Sequence, residues 1–187
     1  VHLSAAVSHE ACPLGLAPTA STTAALALGD ALALCVLDLR AFTAEDFARS
    51  HPGGSLGRRL LVRVKDVMRT GDAIPCISTH ANIQQAIQEI THKGMGFTAV
   101  IDEANYPVGI FTDGDLRRLF VEGNADNNTP ITAVMNQQPR LLQTQQMAVD
   151  AVSLMEQYRI NGFLAVDEAQ HLAGAFNMHD LLKAKVV

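Results

Sequence analysis

Cysteine is scarce in this chain. Cys12, Cys35 and Cys76 are the whole complement of 187 residues. The count is odd, with no Cys-x-x-Cys pair and no Cys/His cluster, so a disulfide framework and a zinc site are both disfavoured. No metal is expected, and a reduced, cytoplasmic setting fits such usage. Basic charge is short as well. Lys and Arg number 14 against 19 Asp and Glu, a formal net charge of −5, which points away from nucleic acid or an anionic membrane as the main partner. No uninterrupted apolar run has the length of a bilayer span, so no membrane segment is expected. No signal peptide opens the chain. It starts at Val1, without an initiator Met and in mid-pattern, and is expected to be a trimmed piece of something longer. His2, His9, His80, His92 and His171 show no ligand spacing, and solvated positions are their default.

What is present is a globular composition, 48 % hydrophobic and 18 % charged, enough for a real core in one large or two small domains. Above all there is a repeat. Lys65-Asp-Val-Met68, a helix, Phe97-Thr-Ala-Val-Ile-Asp102 and Val108-Gly-Ile-Phe-Thr-Asp-Gly-Asp-Leu116 form one copy. Thr132-Ala-Val-Met135, a helix, Phe163-Leu-Ala-Val-Asp167 and Leu172-Ala-Gly-Ala-Phe-Asn-Met-His-Asp-Leu181 form the other. Gly109 to Gly174 and Asp115 to Asp180 are equal steps of 65 residues. A fixed step over a β-α-β-β-α unit means two copies of one module. Each copy is too small to bury its own sheet, so the two should pack face to face, with a small-ligand cleft between them.

Three segments follow. Residues 1–63 precede the repeats. Residues 20–41 are dense in Ala and Leu on most sides and predict a buried helix, with Ser21, Thr22 and Thr23 as N-cap oxygens. Thr43 with Asp46 resembles a capping box. His51-Pro-Gly-Gly54 breaks the helix that follows, and Ser55 can cap another over 56–61. Residues 64–123 hold the first copy. Its helix shows Ile83, Ala86, Ile87 and Ile90 on one face and ends at Lys93-Gly94. Strands are expected at 97–101 and 108–111, with turn residues between them, then a helix over 113–121. A polar loop covers 122–130. Residues 131–187 hold the second copy. Its first helix is lined by Met147, Ala151, Leu154, Met155 and Tyr158, its strands fall at 163–166 and 172–176, and a closing helix spans 179–185.

Chemistry-bearing residues have two readings each. Thr112-Asp-Gly-Asp115 follows a strand and opens a helix, where N–H groups are unpaired. Either Thr112 caps the helix and Asp115 favours its first turn, or Asp115 accepts from a vicinal diol such as a ribose. Asn177-Met-His-Asp180 repeats the arrangement. Arg117 and Arg118 either reach a ligand phosphate or form a solvated face. His51 either bonds a carbonyl at a helix end or relays protons between sugar oxygens. Glu10, beside an apolar loop, is either a surface charge or, partly buried with a raised pKa, a general base.

These residues resemble known families. The repeats look like a tandem pair of cystathionine-β-synthase (CBS) domains, whose strand ends Gly-hydrophobic-hydrophobic-Thr/Ser-x-x-Asp. Gly109-Ile-Phe-Thr-Asp-Gly-Asp115 fits, while the second copy has Asn177 at the Thr/Ser position. The preceding segment resembles the C-terminal part of a sugar isomerase domain. Glu10-Ala-Cys-Pro-Leu-Gly-Leu-Ala-Pro-Thr19, Thr22-Thr-Ala-Ala-Leu-Ala-Leu-Gly-Asp-Ala-Leu32, Phe42-Thr-Ala-Glu-Asp-Phe47 and Ser50-His-Pro-Gly-Gly-Ser-Leu-Gly57 are similar to the D-arabinose 5-phosphate isomerase family. The expected fold class is α/β and α+β: the helical end of a Rossmann-like isomerase domain, then a tandem CBS pair.

The resemblance implies interconversion of D-ribulose 5-phosphate and D-arabinose 5-phosphate, a precursor step for the octulosonate of lipopolysaccharide. It implies Glu10 and His51 as catalytic, with a Lys and a further Glu upstream of Val1, so the chain alone is expected to be inactive. Thr112, Asp115, Arg117, Asn177 and Asp180 would line the ligand cleft. No cofactor is required, and an adenine nucleotide or nucleotide sugar is the implied effector. The family is tetrameric, its His thought to reach a neighbouring subunit's site. Three alternatives stay open: a sensing module in its own right, an oligomerisation support with an empty cleft, and the sibling isomerase of glucitol utilisation.

Overall fold

The structure, a computed structural model, describes residues 1–51, 57, 61–123 and 126–186. The breaker at Pro52, Gly53 and Gly54, the Ser55 cap and most of the helix expected over 56–61 lie outside the described residues. The chain divides into two compact units, residues 1–47 and 48–187.

The first unit is built on α1 (Ala20–Leu39), with α2 (Ala44–Ser50) beginning at its end. The expectation of a buried helix is overturned. No residue of α1 is buried, and Leu26, Leu34 and Leu39 are 70 %, 64 % and 85 % exposed. The reason is that the described residues of this unit contain no strand, so the apolar helix has no sheet to cover. With a mean hydropathy of 1.7 over an 18-residue window, α1 is nonetheless long and apolar enough, by length and composition alone, to cross a bilayer. A search for uninterrupted apolar runs overlooks it because Ser21, Thr22, Thr23 and Asp30 break the run without lowering the average enough. Its cap also differs. The Thr22 and Thr23 hydroxyls donate back to the Thr19 carbonyl. Glu10 reaches over instead to accept from the amides of Thr19 and Ser21. The Thr43/Asp46 box forms as expected: the Thr43 amide and hydroxyl donate to Asp46 Oδ2 and the Asp46 amide donates to Thr43 Oγ1.

In the second unit α3 (Val64–Val67) precedes two copies of one motif. The first is β1 (Cys76–Ser78), α4 (Ile83–Lys93), β2 (Phe97–Ile101), β3 (Pro107–Thr112) and α5 (Asp113–Val121). The second is β4 (Leu141–Gln143), α6 (Ala148–Tyr158), β5 (Gly162–Val166), β6 (Leu172–Asn177) and α7 (Met178–Lys183). Every element begins 65 residues after its counterpart. In each sheet the first strand runs parallel to the second and the second antiparallel to the third. Even the register break recurs, at Val100/Ile101 and Ala165/Val166.

Local sequence explains the elements. In α4 the Asn82 side chain accepts from the Gln85 amide while Gln85 returns a bond to the Asn82 amide, and Ile83, Ala86 and Ile90 are buried. Gly94 ends it at φ 63°, the left-handed conformation glycine adopts without cost. Its counterpart in α6 is Arg159, held in the same region at φ 54°.

Packing makes three layers of core. Val100, Phe111 and Ile131 join Ala86 and Ile90 under α4. Phe163, Phe176 and Leu181 join Ala151 and Met155 under α6. Between the sheets lie Phe97, Ala99, Leu164 and Ala175. Equivalent residues meet at this seam. A β-carbon on Gly162 would run into the Phe97 ring, and Phe97 is the 65-residue counterpart of Gly162. One position holds a ring because its twin holds none. Tyr106 and His171, also counterparts, lie with ring centroids 4.8 Å apart and planes tilted by 41°, so His171 is half-covered by Tyr106 while its side chain stays 38 % exposed.

The repeats also exchange their leading segments. The chain before β1 docks on the second sheet: Arg69 bridges Ala175, and the Val64 amide donates to Gln146 O. The chain before β4 docks on the first sheet: Asn136 bridges Ile110, and the Ile131 amide donates to Ala81 O. Met68 lies on Gly174 and Met135 on Gly109, each filling the space a β-carbon would take. This is why the Val-Met pairs and the strand glycines recur at matching places.

Candidate functional site

Thr112 and Asp115 sit where β3 hands over to α5. The Thr112 amide and hydroxyl donate to Asp115 Oδ2 at 2.9 and 2.7 Å, and the Asp115 amide donates to Thr112 Oγ1 at 3.2 Å. Asn177 and Asp180 repeat this at α7: the Asn177 amide donates to Asp180 Oδ2 at 3.0 Å and the Asp180 amide to Asn177 Oδ1 at 3.1 Å. The capping role is therefore real in both copies. Each box uses one carboxylate oxygen and leaves Oδ1 facing other groups.

Those other groups differ. Asp115 Oδ1 is met by Arg118 of its own helix. Arg117 is exposed and makes no ion pair among the described residues, so Arg118 is the arginine that faces Asp115. Asp180 Oδ1 is met by Arg69 Nε at 3.3 Å, from 111 residues away, and Arg69 Nη1 donates to the Lys93 carbonyl at 2.8 Å. Arg69 thus ties the end of α4 in the first repeat to α7 in the second. A cavity of about 520 Å³ opens there, lined by Asp66, Arg69, His179, Asp180 and Lys183. Local pattern carries no sign of Arg69, because its partner is brought in by the exchange of leading segments.

Glu10 belongs to residues 1–47. Hydrogen bonds from the Ser21 side chain, then from the Thr19 amide, hold its carboxyl well below the ordinary 4.5, at about 2. That is opposite in direction to the raised value a buried general base would have. His51 follows α2, and its amide donates to the Ala48 carbonyl at 3.1 Å. The three cysteines are free thiols. No group of three or more His, Cys, Asp or Glu side chains among the described residues is placed to hold a metal.

Two β-α-β-β-α units of identical register, locked face to face by exchanged leaders and ending in paired helix-start carboxylates, define a tandem-repeat fold. The chain belongs to the CBS domain family, whose model matches residues 64–122 and 131–187. Over its whole length it is 52 % identical to the arabinose 5-phosphate isomerase KdsD of Salmonella typhi and 50 % identical to that of Escherichia coli K12. It spans 57 % of the length of each of these relatives. Among solved structures, the CBS domain protein PAE2072 from Pyrobaculum aerophilum complexed with AMP matches with a TM-score of 0.58. The identity is 19 %, over 64 % of this chain and 90 % of that one. The CBS domain pair of protein MJ0100, in complex with 5-methylthioadenosine and S-adenosyl-L-methionine, matches with a TM-score of 0.58 at 18 % identity, over 65 % of this chain and 94 % of that one. Likeness at this identity establishes the fold.

Proposed function

We propose that this chain works within an enzyme that interconverts D-ribulose 5-phosphate and D-arabinose 5-phosphate, and that its CBS pair regulates that enzyme by binding a nucleotide or a nucleotide sugar. The observation that carries the enzymatic half is the 52 % identity running through all 187 residues, the segment before the repeats included. Residues 1–63 are then the end of the isomerase domain. On this reading α1 is a core helix whose sheet belongs to the rest of the longer protein. Asp30 supports that over a membrane span, since a carboxylate at the centre of a bilayer costs about 2.5–3.5 kcal/mol.

In the enediol route one group moves a proton between C1 and C2 and another shuttles protons among the oxygens or opens the ring. We assign Glu10 to the first role and His51 to the second. A carboxylate with a pKa of about 2 is ionised at neutral pH yet a weak base, so this assignment rests on the family resemblance. The regulatory half is supported by Asp115 and Asp180, whose Oδ1 atoms lie outside the capping boxes and face Arg118 and Arg69, by the cavity beside Asp180, and by the adenosine derivatives bound by the CBS proteins of like fold.

The test is an isomerase assay with D-ribulose 5-phosphate as substrate. No turnover is expected from this chain alone. The longer protein containing it should turn over, respond to AMP, and lose that response on Asp180→Asn. Turnover by this chain that His51→Ala abolishes would show that the portion from Glu10 to His51 suffices. A rate indifferent to AMP and to nucleotide sugars would remove the regulatory half.

A further inference from the structure

The two halves of the CBS pair are alike in backbone and unlike in charge. Asp115 faces Arg118, whose side chain is 68 % exposed and comes from the same helix. Asp180 faces Arg69, whose side chain is 27 % exposed and comes from the leading segment of the other repeat. Arg118 can swing into water when a ligand takes Asp115, which makes its displacement cheap. Arg69 has less freedom. Its backbone is bridged to Ala175 and its Nη1 is held by the Lys93 carbonyl.

We propose that Arg69 makes the Asp180 half selective for a diol ligand that carries its own anion, and that the Asp115 half lacks this selection. This rests on the reading of the pair as a nucleotide-type sensor. A ribose-like diol that takes Asp180 displaces Arg69 Nε from Oδ1. The guanidinium, still tethered, is left in a partly enclosed cavity. The other carboxylate lining that cavity, Asp66, already accepts from the Arg63 amide at 2.8 Å. A phosphate on the ligand gives Arg69 a new partner in bidentate geometry, with Lys183 on the same wall. A neutral nucleoside gives it no anionic partner, and a partly buried charge held by a neutral carbonyl alone is costly.

The experiment is calorimetric titration of the chain with AMP and with adenosine, which differ by the phosphate alone. Asp115→Asn isolates the Asp180 half, and Asp180→Asn isolates the other. In the Asp115→Asn protein AMP should bind at least roughly tenfold tighter than adenosine, a gap typical of one added charged partner. In the Asp180→Asn protein the ratio should be near one. Adding Arg69→Gln to the Asp115→Asn protein should weaken AMP and strengthen adenosine, and Arg69→Lys should restore part of the discrimination. A merely structural Arg69 would move both ligands the same way. Equal loss for both, or a ratio that survives Arg69→Gln, overturns the proposal while leaving the sensor reading intact. Binding of neither ligand to the unsubstituted chain overturns both.

Discussion

Gly109 and Gly174 are counterparts, and the structure predicts that they tolerate a methyl group very differently. The three atoms nearest to a β-carbon on Gly109 all belong to the flexible Met135 side chain. Moving Met135 off its preferred rotamer costs about 0.5–1.5 kcal/mol, and removing a strand glycine returns roughly 0.5–1 kcal/mol of chain entropy. Gly109→Ala should therefore change stability by no more than about 1 kcal/mol. A β-carbon on Gly174 would meet Met68 and also the Arg69 carbonyl at 2.8 Å. That carbonyl accepts from the Ala175 amide at 3.2 Å while the Arg69 amide donates to Ala175 O at 2.8 Å. Relieving the clash opens the bridge, and two hydrogen bonds at about 1 kcal/mol each add to the overpacking, giving roughly 2–4 kcal/mol in all. Urea unfolding followed by circular dichroism measures both, a suitable probe for a chain without tryptophan. In double-mutant cycles Met135→Ala should relieve most of the Gly109→Ala penalty, and Met68→Ala only part of the Gly174→Ala penalty. Equal losses at the two glycines, or full rescue by Met68→Ala, would refute the exchanged-leader packing as the source of the difference.

Two further outcomes are expected. Arg159→Gly should stabilise the chain by about 0.5–1 kcal/mol, because Arg159 ends α6 at φ 54° where its counterpart is Gly94. Thermal unfolding measures this, and a loss of stability would mean that the Arg159 side chain contributes more than its backbone costs. The Glu10 carboxyl is depressed from 4.5 to about 2. Its contribution to the start of α1 is therefore complete above the ordinary value and fades as pH falls through that window. Helicity should exceed that of Glu10→Gln near neutral pH and converge with it near pH 2, and a gap that persists in acid would contradict the capping role.

The sequence by itself determined the two β-α-β-β-α copies, their 65-residue step, the helix faces of α4 and α6, the Gly94 cap and the Thr112/Asp115 and Asn177/Asp180 boxes. These are local features. Periodicity and capping act over three or four residues, so the chain writes them out in order. Tertiary structure alone decided the rest. Whether Asp180 faces solvent or Arg69 depends on a segment 111 residues away being carried onto the other sheet. Whether Phe97 or Gly162 bears the ring at the seam matters only once the copies meet. Glu10 became a helix cap through contacts with Thr19 and Ser21 that no spacing rule anticipates. The apolar helix α1 was legible as a helix, but its burial was not, because burial belongs to the surface a helix packs against rather than to the helix itself.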